Sequence, residues 1–315
     1  MKSTRLFIAF ILAAAMLIGI SACAKSTAEA PVRASDILIP DSVILTGYLD
    51  IAKLANIPQI KDAQAALEQQ FGITLENMKE ICFWVSYDIE EDAEPEWGVA
   101  FEKDIVTDIE EKFEEIGSVE GITTLVMKED TSIRGAAINE WFVIGTGTVV
   151  ADSIRASKGA NLAQSPRGKE FRAIAAKTHD ALFTLNFVPT PSIKKELQKQ
   201  ELGEDLDPIA KDFTGASLAA DYAKGKLSLI LTLDSSKNAV KKAADTIMEM
   251  KAQAKDMIFL AAPLIGEESM PHVEQVYNSF IAKALGATLR ISLEIGDALL
   301  DIIGALLAEL GGSAE

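Results

Sequence analysis

Two histidines supply the imidazole groups of this chain, His179 and His272. They stand 93 positions apart, and neither belongs to a His-Glu-x-x-His motif or to another short-range pattern of metal ligands. A zinc site or a histidine base would have to be built around one of them. We expect His272 to lie in a loop after a proline and His179 to begin a strand. Both are predicted to be solvated or capping residues, and we predict no metal site.

Two short segments share part of a known site motif. Residues 215–219 match the Gly-x-Ser-x-Gly nucleophile elbow around Ser217, except that alanine takes the place of the last glycine. That elbow needs a strand, a sharp turn and a helix, whereas Ser217 is predicted inside a strand that leads to a second strand. Gly145 and Gly147 follow a strand and precede a helix, as in a phosphate-binding loop, but Val150 replaces the third glycine. The spacing favours a strand serine and a strand-to-helix turn.

Acidic residues are concentrated in residues 88–96, where six of nine are Asp or Glu. Such oxygens suit calcium, but the ligand spacing of a calcium loop is missing, so we expect a solvated hairpin tip whose charge resists edge association. Nowhere do a nucleophile, a base and an orienting group stand in supporting context, and we predict no catalytic residue and no cofactor. An enzyme that uses carboxylates alone stays open as a hypothesis, because such chemistry needs no histidine.

The charge balance limits the partners. The 315 residues include 30 Lys and Arg against 47 Asp and Glu, a net charge of −17. Without Lys2 and Arg5, which fall in an N-terminal export segment, 28 basic residues face 47 acidic ones, a net charge of −19. Affinity for phosphates needs clustered Lys and Arg, so the balance argues against nucleic acid and against a polybasic membrane-binding face. A hydrophobic content of 49% with 24% charged residues is typical of a globular chain of about two domains.

The N-terminus has the order of a secretory signal peptide. Residues 1–5 are short and basic, residues 6–20 form an apolar run, and small residues lead to Cys23. Ile20-Ser21-Ala22-Cys23 resembles the lipobox of bacterial lipoproteins. The resemblance implies that residues 1–22 are removed, that the Cys23 thiol carries a diacylglyceryl group and that the new amine receives a further acyl chain, such as palmitate.

A lipid on Cys23 would make a membrane the partner of this chain and would hold the rest outside the cytoplasm, on the cell membrane or the outer membrane. Ala24 replaces the Asp that retains lipoproteins at the inner membrane of enteric bacteria, which favours the outer membrane. The alternative is an uncleaved signal anchor, since residues 6–24 could just span a bilayer. If Cys23 is lipidated, Cys82 is the only remaining thiol, and an internal disulfide is excluded. We expect Cys82 to lie in the core.

The elements that position these residues follow from apolar periodicity. Residues 24–33 lack it, so residues 23–35 are predicted to be a lipid-anchored tether. The first half then predicts strands at 43–48, 81–87, 97–101, 123–127 and 141–144 and helices at 58–71, 105–116 and 151–156, with a hairpin turn at 139–140. The second half predicts strands at 182–187, 216–222 and 226–233, helices at 192–200, after 235–236 and at 297–310, and hairpin turns at 224–225 and 285–286.

Both halves show the same order: strand, helix, two strands, helix, hairpin, helix. This predicts an α+β fold in which two similar units of antiparallel sheet are covered by helices, as in split βαβ folds. The loop 158–167 breaks the pattern and sets the predicted units at residues 36–165 and 166–315. One continuous α+β domain with coincidentally similar halves is the alternative.

The start of the first unit carries a short motif, Ile39-Pro40-Asp41-Ser42 before a strand that ends Tyr48-Leu49-Asp50. With the twin architecture, it resembles a group of uncharacterised exported bacterial proteins. The resemblance implies the fold and brings no catalytic residues.

Three functions remain after these exclusions. The first is a non-enzymatic envelope lipoprotein that binds or scaffolds a protein partner. The second is a carrier that holds a small or apolar ligand in a cleft between the two units. The third is the carboxylate-based enzyme.

Overall fold

A computed structural model describes residues 30–54, 78–87, 94–105, 109–159, 161–178, 180–199, 206–265 and 270–300. The chain divides into two compact units, Ser26–Lys195 and Glu196–Glu315. Every strand pair in both units is antiparallel, and helices cover the sheets. The α+β class predicted from the sequence is confirmed.

The first unit is built on one long antiparallel sheet. Its strands are β1 (Leu45–Asp50), β2 (Glu80–Ser86), β3 (Glu96–Glu102), β4 (Phe113–Val119), β5 (Ile122–Met127), β6 (Ile133–Ile138), β7 (Trp141–Thr146) and β8 (Phe183–Phe187). They lie side by side in the order β8-β1-β2-β3-β7-β6-β5-β4. The first and last strands of this unit, β1 and β8, are therefore neighbours in the sheet. They lie at the opposite end of the sheet from the meander of β4, β5, β6 and β7.

Short helices connect and cover these strands. They are α1 (Ile51–Leu54), α2 (Ile109–Lys112), α3 (Val149–Ala156), α4 (Pro166–Ala175) and α5 (Pro191–Leu197), with 3₁₀ turns at Ala34–Leu38 and Lys103–Ile105. Ser165 caps α4 by accepting a hydrogen bond from the Gly168 N–H at 2.9 Å. Pro166 follows at the first helical position, where its missing N–H costs nothing.

Alternation along the strands gives this sheet two buried faces. On the first face, Trp84 and Val143 pack under α3, α4 and the segment that precedes β1. On the second face, Phe101, Phe113 and Phe142 form the centre of another cluster beside α1 and α2. Because neighbouring residues of a strand point to opposite faces, one sheet supports two separate cores.

The second unit has a four-stranded sheet, one helix of 29 residues and one of ten. Its elements are α6 (Asp207–Lys211), β9 (Gly215–Ala223), β10 (Lys226–Asp234), α7 (Lys237–Ile265), α8 (Met270–Ser279), β11 (Ile281–Leu285) and β12 (Thr288–Gly296), followed by a helical turn at 297–300. The strand order is β11-β12-β10-β9. Val240, Ala243 and Ala244 of α7 pack with Ile209 and Leu289 in its core.

Local turn chemistry explains the hairpins that were predicted correctly. Lys224 and Gly225 both have positive φ, 56° and 72°, and join β9 to β10. Asn139, with φ 56°, begins the turn between β6 and β7, and Gly286, with φ 68°, turns β11 into β12. Asparagine and glycine adopt this left-handed conformation at low cost, so these turns are visible in the sequence.

The predicted helix 105–116 was wrong over its last four residues. Helix α2 ends at Lys112, and Phe113 begins strand β4. Glu120 and Gly121, with φ of 49° and 84°, form a two-residue turn that joins β4 to β5. In the strand, the Phe113 ring meets the Phe142 ring edge-on at 5.7 Å. Pairing with β5 and this aromatic contact outweigh the helical periodicity.

The unit boundary also differs from the prediction. Residues 166–195 were assigned to the second unit, but they belong to the compact first unit. The reason is that β8 pairs with β1 along its whole length, from Leu45 opposite Phe187 to Leu49 opposite Phe183. The duplication of the two halves stays a prediction.

The last residues of the predicted tether, 30–35, are part of the folded first unit. Ala30, Ser35 and Asp36 are buried, and the chain is already turned into a 3₁₀ helix at Ala34–Leu38. Residues 30–35 therefore belong to the folded first unit. The signal peptide 1–22, Cys23, the helix 58–71 and most of the helix 297–310 lie outside the described residues.

Candidate functional site

The segment of residues 30–39, here called the N-terminal strap, packs on the first face of the first sheet. At its start, the Ala30 N–H donates to the Arg172 carbonyl of α4 at 3.1 Å. At its end, Leu38 and Ile39 are fully buried in the core under α3 and α4. The strap is therefore held at both ends on the same unit.

Five side chains bind the strap to β1 and β2, and we call them the polar cluster: Arg33, Ser35, Asp36, Tyr48 and Glu80. Arg33 Nη1 donates to Glu80 Oε2 at 2.5 Å, and Ser35 Oγ donates to Glu80 Oε1 at 2.7 Å. The Tyr48 hydroxyl donates to Asp36 Oδ1 at 2.5 Å, and the Arg33 N–H donates to Asp36 Oδ2 at 2.9 Å. The guanidinium carbon of Arg33 also lies 4.1 Å from the Tyr48 ring centroid. Each oxygen of both carboxylates thus has a donor.

Burial decides the electrostatics of this cluster. Burial raises the pKa of Asp36 above its usual value of 3.8, although the hydrogen bonds from Tyr48 and the Arg33 N–H and the charge of Arg33 oppose the rise. Burial and the nearby charge of Asp36 raise the pKa of Tyr48 well above 10.0. Tyr48 therefore stays a neutral donor, and Asp36 is a carboxylate whose charge is only partly compensated.

Cys82 lies next to this cluster and is fully buried. Burial, followed by the carboxylates of Glu80 and Asp36, raises the pKa of its thiol well above 9.0. The thiolate is the reactive form of cysteine, so Cys82 is a core residue and not a nucleophile. The expectation that Cys82 lies in the core is confirmed.

A small cavity of about 20 Å³, lined by both apolar and polar residues, lies between the strap, β1, β8 and α4. Thr46, Thr184 and Asn186 line it, and each is almost fully buried. The hydroxyl of Thr184 has no hydrogen-bond partner in the described residues. A cavity needs roughly 10–15 Å³ to hold one water molecule, so this one has room for a single water and not for a substrate.

The second face of the same sheet carries a larger, open cleft of about 640 Å³. Apolar and aromatic side chains dominate its lining, among them Ile109, Phe113, Leu125 and Phe142, and Glu115 is the charged lining residue. Ligand sites of proteins commonly have about 300–1,000 Å³ and such walls. A ligand cleft was predicted between the two units, whereas this cleft lies within the first.

The residues singled out by motif take no part in these sites. Ser217 lies inside β9, opposite Thr232 of β10, as an ordinary strand serine. Gly147, with φ 58°, forms the predicted strand-to-helix turn, and the N–H of Thr148, the residue directly before α3, donates to Glu96 Oε2 at 3.0 Å. A side chain of the protein thus occupies the position where a bound phosphate would sit.

His272 lines neither the small cavity nor the apolar cleft. His272 lies in α8 and not in the predicted loop, because Pro271 occupies the first turn of a helix, where proline is favoured. His179 and most of the acidic turn, residues 88–93, lie outside the described residues. Among the residues that the structure describes, no three His, Cys, Asp or Glu side chains are grouped as a metal site would require.

The polar cluster was missed from the sequence because its partners are distant along the chain. Arg33 and Glu80 are separated by 47 positions, and Ser35 and Glu80 by 45. No local pattern in the sequence marks these side chains as partners.

No helix within the described ranges is long and apolar enough to cross a membrane.

Comparison with known protein families finds no family model that matches, and no curated protein matches either. The chain is similar to solved structures of the protein TP0453. Crystal form III superimposes with a TM-score of 0.45 at 9% identity, over 87% of this chain and 99% of TP0453. Crystal form IV gives 0.42 at 10% identity, over 88% and 97%, and crystal form I gives 0.42 at 10%, over 87% and 98%. At this level the similarity carries over no ligand, partner or activity.

Proposed function

We propose that this chain is a bacterial envelope lipoprotein whose folded units bind or scaffold a partner outside the cytoplasm and perform no catalysis. A lipid on Cys23 would anchor it to the cell membrane or the outer membrane. The observation that carries the proposal is the position of Ile20-Ser21-Ala22-Cys23, whose cysteine stands only seven positions before Ala30, a residue hydrogen-bonded to helix α4 of the first unit. Several acyl chains together anchor stably where one is marginal.

The geometry of the first unit supports a non-catalytic role. The buried titratable side chains of the polar cluster bind one another, and the thiol of Cys82 is held protonated. The neighbouring cavity admits no more than a water molecule. These groups contribute to positioning the strap, which joins the folded unit to the proposed anchor.

Metabolic labelling with palmitate tests the anchor. The wild-type chain should take up label and fractionate with membranes, and Cys23→Ser should lose both label and processing. Cys82→Ala is the matched control, because it removes the other thiol while leaving the motif intact, and it should keep the label. An uncleaved, unlabelled wild-type chain in the intact-mass spectrum would refute the proposal.

The apolar cleft favours a second candidate function, carriage of a slender apolar molecule such as an acyl chain. Its volume of about 640 Å³ and its aromatic walls suit such a ligand. Ala137 lines the cleft, is exposed, and pairs with Phe142 across β6 and β7. Ala137→Phe would therefore fill the cleft without crowding the core.

Binding of a fluorescent fatty acid tests this function. Saturable binding to the wild type, lost in Ala137→Phe, would support carriage. Ala173→Phe makes the same change at an exposed position of α4 and should leave binding unchanged. Absence of saturable binding to the wild type, or equal binding by both variants, would exclude the cleft as the carrier site.

A further inference from the structure

The N-terminal strap is attached by two different kinds of contact. Its last residues, Leu38 and Ile39, are fully buried apolar side chains, and the Ile39 carbonyl accepts from the Leu162 N–H at 2.8 Å. Its earlier residues are held by polar contacts: the hydrogen bond of Ala30 to α4, and the bonds of Arg33 to Glu80 and Asp36.

These two parts differ in what their release exposes to water. Freeing Leu38 and Ile39 would expose apolar core and is opposed by the hydrophobic effect. Freeing residues 30–36 exposes the buried side chains of Ser35 and Asp36, but both are polar and water can replace their hydrogen bonds. The ion pair of Arg33 with Glu80 is already partly solvated, since the two side chains retain 25% and 21% of their exposure. The earlier part can therefore open while the core stays packed.

We infer that residues 30–36, the earlier part of the N-terminal strap, can be released from the first unit and so set how far that unit stands from the membrane. The inference rests on the proposed lipid at Cys23. With the strap closed, Cys23 and Ala30 are seven positions apart and lie at most about 25 Å from each other. With the strap open as far as Leu38, the distance is set by the fifteen positions from Cys23 to Leu38, which span at most about 54 Å.

The polar cluster holds the earlier part of the strap in its closed position. Glu80 accepts from both Arg33 and Ser35, so a single side chain of β2 holds two strap residues. Glu80→Gln removes the negative charge that faces the guanidinium and keeps the size of the side chain. It should shift the strap toward the open state and leave β1 paired with β2.

Hydrogen exchange on the purified full-length protein in detergent tests the release. Peptides from residues 30–36 should exchange faster than peptides from β1 and at least tenfold faster again in Glu80→Gln, with β1 unchanged. Glu294→Gln is the matched control, because it breaks a comparable ion pair with Lys226, at 2.8 Å, in the second unit. Equal protection of the strap and β1, changing together in the variant, would overturn the inference.

Energy transfer in vesicles tests the effect on reach. A dye on Thr131→Cys, an exposed turn position of the first unit, should transfer less energy to headgroup-labelled lipid in Glu80→Gln than in the parent. Unchanged transfer despite faster strap exchange would overturn the role in reach. The intact-mass spectrum reports the acyl chains separately, so their absence would refute the anchor and not the release of the strap.

Discussion

Asp36 shows how one buried carboxylate couples the strap to pH. Its side chain is 5% exposed, and burial raises its pKa in the folded protein above 3.8, the value expected in the unfolded chain. Between these two pKa values the folded state binds more protons than the unfolded state. The contribution of Asp36 to stability is thus fully present below pH 3.8 and is lost as the pH rises through the folded-state pKa.

Asp36→Asn replaces this titrating group by a neutral one of the same shape. The free energy of unfolding of the wild type minus that of Asp36→Asn should therefore decrease as the pH is raised from below 3.8 toward neutrality. Urea unfolding of both proteins across this range measures the difference. Both proteins contain all the other carboxylates, so the difference between their free energies of unfolding reports the titration of Asp36.

Asp130→Asn provides a control of opposite sign. The Ser132 hydroxyl and N–H bind the Asp130 carboxylate and lower its pKa, so its contribution is present above pH 3.8 and is lost as the pH falls. A difference for Asp36 that rises with pH, as the one for Asp130 should, would contradict the account of the polar cluster.

At the scale of elements, helix α3 can contact strand β3 because Gly98 has no side chain. A Cβ added to Gly98 would lie 2.5 Å from Trp84 Cε2 and 2.6 Å from Val149 Cγ1 of α3. Gly98→Ala should reduce the free energy of unfolding by about 1–3 kcal/mol, because overpacking displaces the helix or the indole. Urea denaturation measures the loss.

Gly296→Ala is the matched control for this packing prediction. Gly296 ends β12, and the nearest atom to an added Cβ there is the Gln275 side chain at 3.6 Å, an ordinary van der Waals contact. Its stability should stay within about 0.5 kcal/mol of the wild type. Equal effects of the two substitutions would show that strand glycines matter here for backbone reasons and not for the approach of α3.

The sequence predicted the elements whose determinants are local. The turns at Lys224-Gly225 and at Leu285-Gly286 were predicted from residue type. The strand at Phe113 was mispredicted because residues 109–116 fit a helical stripe as well as a strand, and only pairing with β5 distinguishes them. Tertiary contact overrides local propensity in such a segment.

The candidate sites could not be predicted in the same way. The polar cluster joins Arg33 to Glu80 across 47 positions, and no local pattern encodes which acid receives that guanidinium. The apolar cleft depends on the stacking order of β4 to β7, which places Phe113 near Phe142. Periodicity shows which residues are buried, but the register of the sheet decides which of them meet.

For the whole molecule, the net charge and the proposed lipid have opposite effects on membrane binding: the charge weakens it and the lipid strengthens it. Without the predicted export segment the chain would carry a net charge of −19, so its surface as a whole should be repelled from anionic lipid headgroups. Attachment should therefore depend on the acyl chains of Cys23, whose burial in the bilayer is a hydrophobic effect that salt does not screen.

Washing isolated membranes tests which force holds the protein. About 1 M NaCl, at which the Debye length is roughly 3 Å, should release none of it, and detergent should release all of it. Quantitative immunoblotting of pellet and supernatant measures the distribution. A peripheral protein held by charge would instead leave the membrane as salt rises. Release by salt would show that a local basic surface outweighs the overall charge, and anchoring through Cys23 would then be unnecessary to explain membrane association.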